Sequence, residues 1–194
     1  FISACKNNGI PENNDYNGVS QEGAGLVHST IKNGSRQSGA VAFLKPILNR
    51  PNLTAITNAQ VCKILLKDKI AVGIEYKKGS ELIKVYANKE VIVSAGAFQS
   101  PQLLMLSGIG DFSELKKHGI DCLHELKGVG KNLQDHLFYP ICAQSKTQEG
   151  INHYISPLGQ LKAAWNYFVN KKGVFCAGPL EGMAFFDINQ KGGK

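Results

Sequence analysis

The residues with the clearest capacity for chemistry lie in the run NLQDH, where Asp135 precedes His136. A carboxylate that orients an imidazole can form an acid–base pair. These two residues are adjacent, however, and the run GVGKNLQDH is a glycine-punctuated loop, so we interpret Asn132, Asp135 and His136 as residues that shape the loop. A hydrolase nucleophile is excluded at Ser107, because the G-x-S-x-G elbow places serine between two glycines and Ser107 only precedes Gly108.

The cysteines and the remaining histidines show no motif of their own. The 5 cysteines are too widely spaced for a C-x-x-C motif, and an odd number cannot pair completely within one chain. Two interpretations stay open: buried thiols, which we favour, or one or two disulfides in a secreted protein. No group of His, Cys and carboxylates has metal-ligand spacing, so we predict no metal site. His28, His118, His124 and His153 match no catalytic position.

The charge of the chain is positive but diffuse. It has 22 Lys and Arg against 15 Asp and Glu, a formal net charge of +7, and Arg36 and Arg50 are its only arginines. Surfaces that bind nucleic acids cluster their basic residues and favour arginine. We therefore interpret the charge as a solvated surface and exclude nucleic-acid binding. Hydrophobic residues make up 43% of the chain, enough for a core, but no apolar run approaches the roughly 18 residues of a membrane span.

Strand patterns dominate residues 51–97. The stretches QVCKILL, AVGIEYK and ELIKVYA are separated by the turn signals KDK and KGS, which predicts a three-stranded antiparallel meander. The preceding stretch NLTAIT is rich in β-formers and predicts a further strand. The stretch EVIVSAGA is consecutively apolar and predicts a short strand of a buried parallel sheet.

A glycine turn joins that last strand to a predicted short helix. Ser100 is a favoured N-cap and Pro101 a favoured first helical residue, so PQLLMLS is predicted to form a helix that ends at Gly108. Ligands of open α/β sheets collect where strands run into helices, and the free N–H groups of a helix start suit an anion. The junction between Val91 and Gly108 is therefore the first candidate for a binding site.

Two more helices are predicted from their caps. Asp111 precedes FSELKKH, and Ser156 precedes PLGQLKAAWNYFVNKK. We interpret the apolar face of the longer helix as core packing. Its residues recur at helical spacing: Leu158, Leu161, Trp165, Phe168 and Val169. Residues 1–50 are polar and rich in turn residues, which predicts covering loops.

The run GAFQSPQLLMLSGIG resembles the second signature of the glucose–methanol–choline (GMC) oxidoreductases, a family of flavoproteins. The matching positions are Gly96, Ala97, Ser100, Pro101, Leu103, Leu104, Ser107, Gly108, Ile109 and Gly110. The stretches SGAVAFLKP with RPNLTAIT, KEVIVSAGA and GVGKNLQDH resemble other segments of the family in the same order. The resemblance covers most of residues 15–140 and is greatest to insect, glucose dehydrogenase-like members. Asp111 and Lys127 stand where the family usually has proline, which changes turns only.

This resemblance implies an α/β (α+β) fold. It implies part of a Rossmann-like FAD-binding domain with a three-stranded β-meander, followed by the start of an antiparallel-sheet substrate domain. Residues 1–136 would belong to the FAD-binding domain with its covering loops, without the N-terminal dinucleotide-binding βαβ unit. Residues 137–194 would begin the substrate-binding domain.

The resemblance also implies a chemistry. It implies FAD as cofactor and oxidation of the CH–OH group of a small-molecule alcohol or sugar by hydride transfer to the flavin, with O₂ or a quinone as electron acceptor. Val61 stands at the family position whose backbone contacts the FAD adenine. Ala95 and Gly96 end the apolar strand, where small residues let a ligand approach closely, although tight helix–strand packing explains them equally well. The family's catalytic histidines lie near its C-terminus, so we predict no catalytic residue in this chain.

We expect this chain to be an internal part of an enzyme about three times as long. Alone, it is expected neither to hold FAD tightly nor to oxidise alcohols, so a stoichiometric yellow protein made from these 194 residues would contradict that expectation. The alternative is a GMC-like protein without catalysis that has a binding or structural role. The cellular location stays unknown; the N-x-[ST] triplets at Asn33 and Asn52 are compatible with secretion but arise often by chance.

Overall fold

A computed structural model describes residues 1–142, 146, 154–176, 178 and 180–187. Contacts divide the chain into two compact units: unit 1 comprises Phe1–Leu53 with Cys142–Lys194, and unit 2 comprises Thr54–Ile141. The division rests on contacts alone and does not show which unit binds a cofactor or a substrate. The domain boundary predicted after residue 136 therefore stays a prediction.

The fold mixes short helices with small, mainly antiparallel sheets. In chain order the elements are α1 (Ile2–Asn7), β1 (Gly23–Leu26), β2 (Ile31–Lys32), β3 (Ser35–Arg36), β4 (Gln60–Lys67), β5 (Ile70–Lys78), β6 (Glu81–Tyr86), α2 (Gly96–Leu106), β7 (Ile109–Gly110), α3 (Phe112–Lys117), β8 (His124–Glu125), α4 (Pro157–Trp165) and β9 (Gly182–Phe185). Within the described part of the chain, no helix is long and apolar enough to cross a membrane.

Unit 1 is built around the antiparallel pair of β1 and β9. Ala24 lies opposite Ala184 in this pair and is completely buried. Helix α1 contacts both strands. The covering loops expected before residue 50 therefore include a strand whose partner comes from the other end of the unit, a long-range pairing that turn composition does not reveal.

Helix α4 has the predicted cap, since the Ser156 hydroxyl accepts a hydrogen bond of 3.1 Å from the Gly159 N–H. Its apolar face is exposed, however: Leu158 is 78% exposed and Trp165 67%, and Ala163 is the residue of this helix that is buried. Core packing is therefore the wrong interpretation within the described chain. Helical spacing specifies an apolar face but not a neighbour to cover it.

Unit 2 contains the predicted three-stranded meander, which is confirmed with the order β4-β5-β6. Asp68 and Lys69 both have positive φ at the β4–β5 turn, as a two-residue type I′ hairpin requires. The strand predicted at NLTAIT is not formed: the structure begins the sheet at Gln60.

Helix α2 begins earlier than predicted. Its first residue is Gly96, and Pro101 lies inside it rather than at its start. The N-cap predicted at Ser100 is therefore wrong: Ala95 holds that position without a side-chain cap, and the Ser100 hydroxyl accepts a 3.0 Å hydrogen bond from the Ala95 N–H from within the helix. Residues 91–94 precede the helix without joining a sheet among the described residues, so the predicted parallel strand is not formed there. An apolar run predicts a buried strand only if partner strands flank it.

The core of unit 2 lies between the meander and the helices. Ile64 and Tyr76 on the sheet are 4% and 7% exposed, and Leu115 on α3 is 2% exposed. Strands β7 and β8 form a two-residue parallel pair beside them. The core is small, so each member is expected to carry a large part of the stability of this unit.

Helix α3 has the predicted N-cap. The Asp111 carboxylate accepts hydrogen bonds from the backbone N–H groups of Ser113 and Glu114. The Ser113 hydroxyl, followed by the Glu114 N–H, holds the pKa of Asp111 below its usual 3.8. Because the folded pKa is depressed, this stabilisation is present above the ordinary pKa of the carboxyl and is lost as pH falls through the folded value.

We therefore expect Asp111→Asn to keep the N-cap of α3 near neutral pH and to lose less stability than the parent protein when the pH is lowered. Asparagine caps helices about as well as aspartate but does not titrate. Thermal unfolding midpoints at pH 7 and pH 3 check this, with Asp121→Asn as the control at an aspartate that caps no helix. An acid loss as large in Asp111→Asn as in the parent protein would contradict the assignment.

Candidate functional site

A cavity of about 480 Å³ lies in unit 2 between the meander and the start of α2. Its walls come from β4, β5 and β6, from residues 90–95 and from Leu103 on α2. Most of the lining is aliphatic. A cavity of this size with an apolar lining and a few polar groups is typical of sites for small molecules and cofactors.

The structure brings two of the predicted cofactor residues to this cavity. Val61, near the start of β4, and Ala95, just before α2, both line it. Gly96 follows Ala95 as the first residue of α2 and does not itself line the cavity. Val61 and Ala95 are 34 positions apart in the sequence, and the meander between them returns the chain to the same place.

Gly96 has a backbone conformation that favours glycine. Its φ is +88°, and a Cβ built there would meet nothing within 4 Å. The conformation, rather than crowding, therefore explains why glycine is suited to this position. A ligand can enter the open space beside Gly96. Tight helix–strand packing therefore does not fill this side of the residue.

Val61 lies on a strand with an irregular register. The pairing of β4 with β5 shifts between Val61 and Lys63, as at a β-bulge. The Gln60 side-chain amide donates to the Val61 carbonyl across 3.4 Å, which is a long hydrogen bond. A bond of this length is readily exchanged for one from a ligand, so the Val61 backbone is a suitable polar contact on an otherwise aliphatic wall.

The start of α2 adds a second set of polar groups. The Ala95 N–H is already occupied by the Ser100 hydroxyl. The N–H groups of Gly96, Ala97 and Phe98 follow it, and the first N–H groups of a helix have no carbonyl partner within the helix. The helix dipole places partial positive charge there, which favours an electron-rich or anionic ligand group.

Two features of the cavity escaped the sequence analysis. Glu90 carries the only carboxylate among the described residues that line it. Gly73, on the central strand, lines it where the backbone of β6 comes closest. An isolated glycine within a strand pattern was the available signal for Gly73, since it marks a bulge or a close backbone approach.

The histidines lie elsewhere. Within the described residues His28 belongs to unit 1, and His118, His124 and His136 belong to unit 2 without lining the cavity. His153 lies outside the described residues. The Asp135 side chain accepts a 2.8 Å hydrogen bond from the His136 backbone N–H, so it holds the local backbone instead of the imidazole. This agrees with a loop-shaping role for the pair.

The cysteines are five free thiols, and all of them fall within the described ranges. Cys142 is exposed and the other four are half-buried, so they are neither paired nor fully buried. Among the residues that the structure describes, no three His, Cys, Asp or Glu side chains are grouped to hold a metal ion.

Comparison with known proteins identifies relatives over most of the chain. The family model described as GMC oxidoreductase matches residues 1–138. The chain is 42% identical to "Alcohol dehydrogenase [acceptor]" of Pseudomonas putida, over 95% of this chain and 34% of that protein. It is 50% identical to "Choline dehydrogenase, mitochondrial" of Homo sapiens, over 71% of this chain and 23% of that protein. The chain thus spans about a third or less of the length of these curated relatives.

Solved structures agree with this assignment. An FAD-dependent oxidoreductase from Chaetomium thermophilum superimposes with a TM-score of 0.81 at 26% identity, over 93% of this chain and 33% of that one. Pyridoxine 4-oxidase from Mesorbium loti gives a TM-score of 0.65 at 34% identity, over 70% and 26%. The narrower resemblance to insect, glucose dehydrogenase-like members stays a prediction. The matched signature, the fold and the relatives together show that this chain belongs to the GMC oxidoreductase family.

Proposed function

We propose that the whole protein is an FAD-dependent oxidoreductase that oxidises the CH–OH group of a small-molecule alcohol or sugar. The observation that carries the proposal is the convergence of Val61 and Ala95 on one cavity in a chain of this family. FAD supplies the hydride acceptor when it is bound, and the protein supplies binding, orientation and the proton acceptor. The absence of a catalytic side chain from these residues stays a prediction.

The residues of the cavity fit one end of FAD. An adenine ring is flat, with apolar faces and a polar edge, so aliphatic walls can cover its faces. The Val61 backbone lines the cavity and offers a polar contact for that edge, and its carbonyl accepts a long bond of 3.4 Å from the Gln60 side chain. The small side chain of Ala95 in the cavity lining leaves room for a ligand, and Gly96 follows it as the first residue of α2.

The proposed substrate class follows the relatives. The relatives are named as an alcohol dehydrogenase and as choline dehydrogenases, some of them oxygen-dependent, and choline is itself a primary alcohol. The names divide between an unspecified acceptor and oxygen. We therefore propose an alcohol donor and an electron acceptor that is O₂ or a quinone, with no nucleic-acid partner.

Blocking the cavity tests the cofactor assignment. We expect Ala95→Phe in the whole protein to lower the FAD content after purification at least about tenfold, because a ring at this wall occupies the space of the ligand. The ratio of flavin absorbance to protein absorbance measures it. The control is Ala55→Phe, which adds the same ring at an exposed position of unit 2 away from the cavity.

The outcomes separate the proposed enzyme from its alternative. An FAD-loaded protein whose flavin absorbance bleaches when alcohols are added without oxygen is the expected result. A loaded protein that no alcohol or sugar bleaches would instead favour a GMC-like protein without catalysis. Full FAD content in folded Ala95→Phe would show that FAD does not occupy this cavity.

A further inference from the structure

Ser107 is the one fully buried polar side chain among the described residues, at 0% exposure. Its hydroxyl accepts a 2.8 Å hydrogen bond from the Ile64 N–H and donates one of 2.6 Å to the Leu103 carbonyl. Both capacities of the hydroxyl are therefore used within unit 2. A serine held in this way is neither a nucleophile nor a substrate contact.

The two partners of Ser107 lie on two elements that both contribute to the cavity lining, β4 through Val61 and α2 through Leu103. Ile64 lies on β4, three residues after Val61, and is itself buried. Leu103 lies on α2 and lines the cavity. The Ser107 hydroxyl thus joins the strand that carries Val61 to the helix that starts at Gly96.

The hydrogen bond between Ile64 and Ser107 lies at the open edge of strand β4. The sheet order β4-β5-β6 leaves one edge of β4 without a neighbouring strand among the described residues. The Ile64 N–H points to that edge and meets Ser107 there. Backbone groups that are buried without a partner are costly, so the bond both satisfies the strand edge and fixes the helix against it.

We propose that Ser107 is a positioning residue of the FAD site, because its hydroxyl fixes the strand that carries Val61 against the C-terminal end of α2, one turn after Leu103 of the cavity lining. This inference rests on the proposed function, since it assumes that FAD occupies the cavity. Alanine at this position leaves the buried Ile64 N–H without its partner and lets the helix shift along the strand. Threonine keeps the hydroxyl at the cost of one added methyl group in a buried site.

The test uses the whole FAD-loaded protein. We expect Ser107→Ala to raise the dissociation constant of FAD about tenfold, measured well below the unfolding midpoint of the variant, through the loss of one buried hydrogen bond. Ser107→Thr is expected to restore most of the affinity. Ser113→Ala is the matched control, because it removes a serine hydroxyl that bonds to Asp111 at an exposed helix start in the same unit.

Each outcome decides the proposal. An unchanged dissociation constant in folded Ser107→Ala, with only the unfolding midpoint lowered, would reduce Ser107 to a purely structural role and overturn the proposal. If Ser107→Ala does not fold, Ser107→Cys decides instead: a weaker hydrogen-bonding group of similar size must raise the dissociation constant, and an unchanged value overturns the proposal. A parent protein that binds no FAD contradicts the proposed function, which is a separate result.

Discussion

Replacing Gly73 by alanine is expected to destabilise unit 2 and to lower the FAD affinity of the whole protein together. A Cβ on Gly73 would lie 2.2 Å from the Val85 carbonyl oxygen and 3.0 Å from the Tyr86 Cα. These are backbone atoms of the paired strand β6, in which Tyr86 lies opposite Gly73. The new methyl group can be accommodated only if the two strands separate, and overpacking of this kind costs about 1–3 kcal/mol.

The same substitution reaches the cavity because Gly73 and Tyr86 both line it. A displaced β6 changes the wall opposite Ala95, so the flavin content is expected to fall along with the thermal unfolding midpoint. Gly128→Ala is the matched control: it adds the same methyl group in unit 2 where nothing lies within 4 Å, and its φ is not in the left-handed region. If Gly73→Ala and Gly128→Ala have equal unfolding midpoints and equal flavin contents, strands β5 and β6 separate without a cost in free energy.

The meander could be predicted because its determinants are local. Alternating apolar residues and two short turns specify neighbouring antiparallel strands, and Asp68 and Lys69 adopt the turn that such spacing favours. The caps at Asp111 and Ser156 are local in the same sense, and both are confirmed. Each of these turns and caps is determined by a few consecutive residues, so it can be recognised in the sequence.

The misplaced elements depend on contacts that a local pattern does not contain. The run before Gly96 is apolar enough for a buried strand, but residues 91–94 have no strand partner among the described residues. Helix α2 begins at Gly96, and Ser100 lies inside it, where its hydroxyl accepts a hydrogen bond from the Ala95 N–H. Capping preferences identify serine as a cap but do not fix the register of the helix around it.

The site shows the same limit. Val61 could be chosen only through the family resemblance, whereas Ala95 belongs to a strand–helix junction that the sequence already indicates; nothing in their spacing shows that both line one cavity. The resemblance did not reveal what holds the walls of the cavity together. The Ser107–Ile64 bond joins residues 43 positions apart, and a serine before a helix-ending glycine gives no sign of such a partner. Long-range hydrogen bonds of this kind can be identified only in the three-dimensional structure.

Replacing Gly108 by alanine is expected to cost more than the same change at Gly119, although both glycines directly follow a helix with positive φ. The φ values are +82° and +68°, so an alanine is strained at either position by about 1 kcal/mol or more. A Cβ on Gly108 would also lie 2.6 Å from the Asp121 carbonyl oxygen, whereas one on Gly119 would meet nothing within 4 Å. We expect Gly108→Ala to be about 1–3 kcal/mol less stable than Gly119→Ala.

The difference between these variants isolates the crowding at the end of α2. The Gly108 carbonyl accepts hydrogen bonds from the N–H groups of Leu123 and His124, so the segment that a new methyl group would push away is held to Gly108 itself. Chemical unfolding of the two variants measures the difference, and equal losses would mean that this segment moves freely. A measured excess for Gly108→Ala would show that the α2 end beside Ser107 is fixed from both sides, by the strand edge at Ile64 and by the chain entering β8.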